Sequence, residues 1–165
     1  MKRILPLILT FNVVLLDQLS KYLIIESIPQ RGIGASFFGD FLRIVHVRNP
    51  GIAFSIGRSL PEPIRTLLFT FLPLCVLVIL GLHFFKSEEY TPLQRWMAAG
   101  VLGGGIGNLL DRVFRPDGVV DFIDVKIYGF LGMERWPTFN IADSVVVVCG
   151  IAIALSLFLT RRERE

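Results

Sequence analysis

Two aspartates sit in surroundings that charge avoids: Asp121 in Val119-Val120-Asp121-Phe122-Ile123-Asp124 and Asp143 in Phe139-Asn140-Ile141-Ala142-Asp143-Ser144. Two carboxyl groups that meet in a low-dielectric site resist ionising together, so one keeps its proton. The ionised member can then take a proton from water while the protonated member polarises a carbonyl, which is amide hydrolysis without a metal or a covalent intermediate. Asp143 also has a plainer explanation, as a carboxylate in the first turn of a helix whose N-cap is Asn140. Asp121 has no comparable one. Rival chemistries lack their residues: the chain holds no His-Glu-x-x-His, no Gly-x-Ser-x-Gly and no cysteine beside a histidine, and Ser55 and Ser144 have no evident base. On spacing alone the aspartate pair is suggestive and no more.

Other polar residues also stand among apolar ones. Asp17 and Lys21 are one helical turn apart, so they share a face and can pair. That pair serves either to dock a helix or to orient a neighbouring site. Asn108, Asp111 and Arg112 follow a glycine-dense run, Gly103-Gly104-Gly105-Ile106-Gly107, of the kind that lets helix backbones approach closely. Their i, i+3, i+4 spacing puts them on one face, as interhelical anchors or around a polar cavity. Asn49-Pro50-Gly51-Ile52-Ala53-Phe54-Ser55 is a turn or a substrate contact. The two histidines, His46 and His83, have no partner at metal-ligand spacing. Cys75 and Cys149 fall in mid-block as small packing residues.

The elements that must position these groups are four apolar blocks, about residues 4–25, 64–85, 93–113 and 141–160. The chain has 165 residues, 53% of them hydrophobic, and its mean hydropathy is +0.62. Each block approaches the ~20 residues that cross ~30 Å of hydrocarbon, which predicts an all-α membrane protein, a four-helix bundle in one domain. The third block is the least hydrophobic and should be the most enclosed. An ionisable group inside such a span costs at least ~2.5–3.5 kcal/mol on insertion scales, so each needs a reason. The net charge of +3 is not gathered into a basic face interleaved with aromatics, which argues against nucleic-acid binding. Met1-Lys2-Arg3 opens like a secretory signal peptide, but the apolar run passes Asp17 to Ile25 without a small-x-small site, so it reads as a retained helix.

Residues 26–63 and 114–140 form long links on one side, and Lys86–Pro92 forms a short link on the other. The first long link holds a β-branched run, Phe41–Val47, which predicts a small sheet on the membrane surface. Cations divide evenly between the two sides. Lys2 and Arg3 beside the first helix place both termini in the cytoplasm. Two other functions fit some of these features. A small transporter or proton channel would use Asp17, Lys21, Asp111 and Arg112 as a polar path. A non-catalytic scaffold would use the surface sheet.

Taken in order, Asp17-Gln18-Leu19-Ser20-Lys21, Asn49–Ser55, Gly104–Arg112, Val119–Ile123 and Phe139–Ser144 resemble the lipoprotein signal peptidases (signal peptidase II). The resemblance covers nearly the whole chain. It implies a monomeric aspartyl peptidase of the bacterial inner membrane that needs no cofactor. Its active site would face the periplasm beneath a small β-sheet cradle. Its substrate would be a prolipoprotein carrying diacylglycerol on the lipobox cysteine, cut just before that cysteine, and its inhibitor the cyclic peptide globomycin. Membrane lipids would surround it. The resemblance maps the catalytic pair onto Asp121 and Asp143, and supporting roles onto Asp17, Lys21, Asn49, Gly51, Asn108, Arg112 and Asn140. Asp124, outside the matched pattern, is the main competitor of Asp121.

Overall fold

The computed structural model describes residues 4–51 and 60–162. Ile52-Ala53-Phe54-Ser55, and the cations Lys2, Arg3, Arg58 and Arg164, lie outside the described residues.

Helix α1 runs Leu7–Ser27. It stops where Ile28 turns extended, as the residue before Pro29 must. Its buried residues are Val13, Asp17, Lys21 and Ile24, one narrow stripe at helical spacing. Phe11, Leu15, Leu16, Leu19 and Leu23 point outward and are exposed. This arrangement inverts that of a soluble protein, with charges inside and leucines outside, and it fits a chain whose solvent is hydrocarbon.

Helix α2 spans Glu62–Lys86 and contains a π-helical turn at Leu67–Phe71. Pro73 accounts for that turn: it has no N–H to give the carbonyl of Phe69, four residues back, so the α ladder must open there. Helix α3 runs Pro92–Phe114 and starts at a capping box in which Thr91 and Gln94 bond reciprocally. Helix α4 is Ile141–Arg162. Among the described residues α1, α2 and α4 are long and apolar enough to cross a membrane. Helix α3 is less apolar and touches all three of the others.

The enclosed position of α3 depends on its glycines. A Cβ at Gly103 would come within 2.9 Å of the Val13 side chain, and one at Gly104 within 2.5 Å of the Ala142 carbonyl oxygen. At Gly107 the obstacle would be Asp17 Oδ2 at 2.6 Å. Only glycine lets α1 and α4 come this close, and that approach brings their polar residues against Asn108 and Asp111.

A three-stranded antiparallel sheet, ordered β1-β2-β3, covers one end of the bundle. Strands β1 (Ile33–Phe37) and β2 (Leu42–Asn49) come from the first long link. The third strand, β3 (Val119–Val125), comes from the second link. Asp121 lies within this sheet, its backbone paired with Val47 of β2. Ile24 of α1 and Ile28 just after it pack under Val120 and Phe122, so the inner sheet face is fastened to the bundle. His46 is buried, with Nδ1 at 2.8 Å from the Ile28 carbonyl oxygen and Nε2 accepting from Arg48.

Candidate functional site

The site lies where the sheet meets the ends of α3 and α4. On β3 the strand alternation points Asp121 away from the side of Val120 and Phe122 and toward Asn49 and Asn140, and it is only 2% exposed. Asn49 ends β2 opposite Val119, diagonal to Asp121, within reach of a polar side chain. Its amide donates to Asp121 Oδ2 at 3.0 Å, and its own Oδ1 accepts from the Gly51 N–H at 3.1 Å. Phe139 bridges to Ile123 of β3, which brings the next residue, Asn140, against the same carboxylate. Asn140 Nδ2 donates to Asp121 Oδ1 at 2.8 Å.

Asn140 also begins α4. Its Oδ1 accepts from the Asp143 N–H at 2.9 Å, and Asp143 Oδ2 accepts from the Asn140 N–H at 3.2 Å, a reciprocal cap like a capping box. The other Asp143 oxygen accepts from Asn108 Nδ2 at 2.7 Å. Asn140 Nδ2 reaches Asn108 Oδ1 at 3.0 Å. Two bonded asparagines therefore stand between the carboxylates, one holding each. Asp143 is half-buried, so the pair has an open side.

Burial is the main cause that raises the Asp121 pKa to about 7, and the neighbouring Asp143 carboxylate is the second. The hydrogen bonds from Asn49 and Asn140 work the other way, because they favour the charged form. Asp121 is thus poised to hold or release a proton near neutrality. Asp124 is differently occupied. Three residues further along β3, it faces away from Asp121 and pairs with Arg135 Nε at 2.7 and 2.8 Å, with no bond to the asparagine network.

Of the two readings of Asn108, Asp111 and Arg112, interhelical anchors or one polar cavity, the structure bears out the anchors. Asn108 faces Asp143. Asp111 turns to Lys21, at 3.1 Å, and to Arg115. Arg112 donates to the Phe69 carbonyl, the one Pro73 leaves free, and to the Gly51 carbonyl at 3.3 Å. Its partners lie on α2 and in the turn after β2, so helical spacing on α3 could not reveal them.

Beneath the carboxylates lies a wholly buried ion cluster. Lys21 Nζ bonds Asp17 Oδ2 at 2.8 Å, Asp111 Oδ2 at 3.1 Å and Asn108 Oδ1 at 3.0 Å, which uses all three of its donors. Gln18, which sequence reasoning did not single out, donates to Asp17 and Asp111 and to the Gly107 carbonyl. Its place beside Asp17, within the Asp17–Lys21 stretch that carries the family resemblance, was the available signal.

A family model described as signal peptidase (SPase) II matches residues 9–159. The chain belongs to the signal peptidase II family. It is 46% identical over 158 residues to a lipoprotein signal peptidase of Treponema pallidum (strain Nichols), covering 96% of this chain and 85% of that one. With the lipoprotein signal peptidase of Treponema denticola it shares 48% identity over 155 residues, 94% of this chain and 89% of the relative. Its fold is similar to a bacterial membrane enzyme structure solved by the in meso method at 2.3 Å, with a TM-score of 0.82 and 29% identity over 97% of this chain and 91% of that one. The signal peptidase II fold therefore extends over nearly the whole chain, sheet included.

Proposed function

We propose that this protein is a prolipoprotein signal peptidase that hydrolyses the peptide bond before a diacylglyceryl-modified lipobox cysteine, using Asp121 and Asp143 to activate water. The observation that carries the proposal is the placement of two carboxylates from separate elements on one bonded pair of asparagines, Asn140 holding Asp121 and Asn108 holding Asp143. Asp143 takes a proton from water as the oxygen attacks the scissile carbonyl. Asp121 holds its own proton against the carbonyl oxygen as charge develops there. Collapse of the tetrahedral intermediate breaks the C–N bond, and Asp143 passes the proton it took from water to the departing cysteine amine. No cofactor enters these steps.

The reading includes four spans, with α3 as the least apolar of them, and both termini in the cytoplasm of a bacterial inner membrane. The sheet and the aspartates face the periplasm, and the protein acts as a monomer. A diacylglyceryl chain cannot leave the bilayer cheaply, since each buried CH₂ is worth ~0.8 kcal/mol. The enzyme must therefore bring water to the interface, and one carboxylate on the sheet with the other at the helix end beside it is suited to that. The test is processing of a synthetic diacylglyceryl precursor by the purified protein. The reading requires cleavage before the modified cysteine and its suppression by globomycin. Cleavage at another bond, or equal turnover of the unlipidated peptide, would refute it.

The raised pKa of Asp121 predicts the pH dependence. Activity requires Asp121 protonated, so the rate should fall as pH rises through about 7. In Asn49→Ala a bond that stabilises the ionised form is gone, so that alkaline limb should move to higher pH. A flat profile from pH 6 to 9, or a limb that moves down, would count against Asp121 as the proton holder.

A further inference from the structure

We infer that the buried Asp17–Lys21–Asp111 cluster sets the separation of the two catalytic carboxylates, and that Asp111 is a positioning residue for Asp121. The inference rests on the dyad reading above. The key observation is what else the cluster's two carboxylates accept. Asp111 Oδ2 accepts the backbone N–H of Val120 at 3.0 Å, and Asp17 Oδ1 accepts the backbone N–H of Ala142 at 3.1 Å. Val120 and Ala142 immediately precede Asp121 and Asp143. Lys21 joins the two carboxylates, so its ammonium sits at the centre of a clamp whose arms each grip the backbone N–H of the residue before one aspartate.

The arms tie both elements to the interior of the bundle, beyond the bonds that Asn49, Phe139 and Asn140 make between them. The Ala142 N–H belongs to the first turn of α4, where no intrahelical acceptor exists. Without Asp17 it would be a buried, unpaired donor. Val120 lies fully buried on β3, a strand otherwise tied mainly to β2. Asp111 is thus a direct bond from the bundle to the strand that carries Asp121. Lys21 also gives its third donor to Asn108, which holds Asp143. Gly107 belongs to the same device, since a side chain there would push Asp17 away. All three charged side chains are completely buried, so no substrate atom touches them. Their effect on catalysis must pass through the backbone and through Asn108.

The clamp predicts a particular kinetic signature. Displacing reacting groups by about 1 Å can cost ~10²-fold in rate, while the surfaces that bind substrate are untouched. Asp111→Asn should therefore lower kcat by about 30- to 100-fold and leave KM within about 3-fold, in protein that remains monodisperse. Asp111→Glu keeps the charge for Lys21 but lengthens the arm by a methylene. It should lower kcat at least about 10-fold, and it keeps the question open to test should the Asn variant fail to fold. Arg95→Met serves as a control matched for destabilisation. Arg95 is buried at the far end of α3, where it caps the Phe84 and Ser87 carbonyls, and its loss should lower Tm while kcat per folded molecule stays near wild type. If folded Asp111→Asn or Asp111→Glu retains kcat within 3-fold while Asp121→Asn is inactive, the clamp is overturned and the dyad stands. If Asp121→Asn is itself active, the dyad reading fails first.

Discussion

Asp121→Asn and Asp143→Asn, made separately, should each nearly abolish processing of a diacylglyceryl precursor, with kcat down by at least about 10²-fold. General acid–base catalysis by one group contributes roughly 10²–10⁴-fold, and neither carboxylate has a substitute within the network. The asparagine replacements isolate chemistry from folding because the partners barely change. At position 121 the amide oxygen can still accept from Asn140 or Asn49, and a carboxyl already inclined to stay neutral loses little when made permanently so. At position 143 one oxygen remains to accept from Asn108 or from the Asn140 N–H. The lost charge at the α4 N-terminus costs about 0.3–1 kcal/mol. Both variants should therefore purify as folded protein with Tm within a few degrees of wild type. Asp124→Asn is the informative companion, since Asp124 pairs with Arg135 away from the network. It should keep kcat within a few-fold. A folded Asp121→Asn that still cleaves, or an inactive Asp124→Asn beside it, would transfer the acid role from one aspartate of β3 to the other.

Asp124 also marks how far the sequence could be read. Order along the chain could not separate Asp121 from Asp124 by contact, because their difference is a matter of strand alternation and of Arg135, which lies beyond the strand. Strand β3 itself was hidden for a related reason. A strand with one wet face alternates, but Val119, Val120, Asp121 and Phe122 are all buried. A run without period cannot be told from the edge of a membrane segment. The features that were legible are those carried by local spacing. Asp17 and Lys21 pair at one turn, Asn140 caps Asp143 at three residues, and the glycine-rich third block is the enclosed one. Where partners come from distant segments, spacing said nothing. Asn108, Asp111 and Arg112 share a face of α3, yet they answer to α4, α1 and α2 respectively. The free carbonyl that receives Arg112 exists because of a proline on another helix.

Those long-range partners also explain why the bundle should be fragile at a single point. Lys21→Met should be the most destabilising substitution on α1. Methionine fills much of the volume, so the loss is electrostatic. Asp17 and Asp111 would remain completely buried around an apolar chain, with Arg115 the one remaining cation bonded to Asp111. Removing one partner from a buried ion cluster costs about 3–5 kcal/mol, because the charges left behind can neither pair nor reach water. Against the 5–15 kcal/mol that holds a typical domain together, such a loss is close to disabling. The variant should lose its monodisperse peak or drop in Tm by more than about 10 °C. The triple variant Lys21→Met, Asp17→Asn, Asp111→Asn tests the cause. It removes the stranded charges along with the cation, and neutral side chains of similar shape can replace a buried ion cluster at little cost. Folding should return in the triple variant, and activity should not, since Asn108 has lost its anchor and the peptide units before Asp121 and Asp143 are held more weakly. A stable Lys21→Met single variant would mean that water reaches the cluster. A triple variant no more stable than the single would mean that the lysine acts by packing rather than by charge.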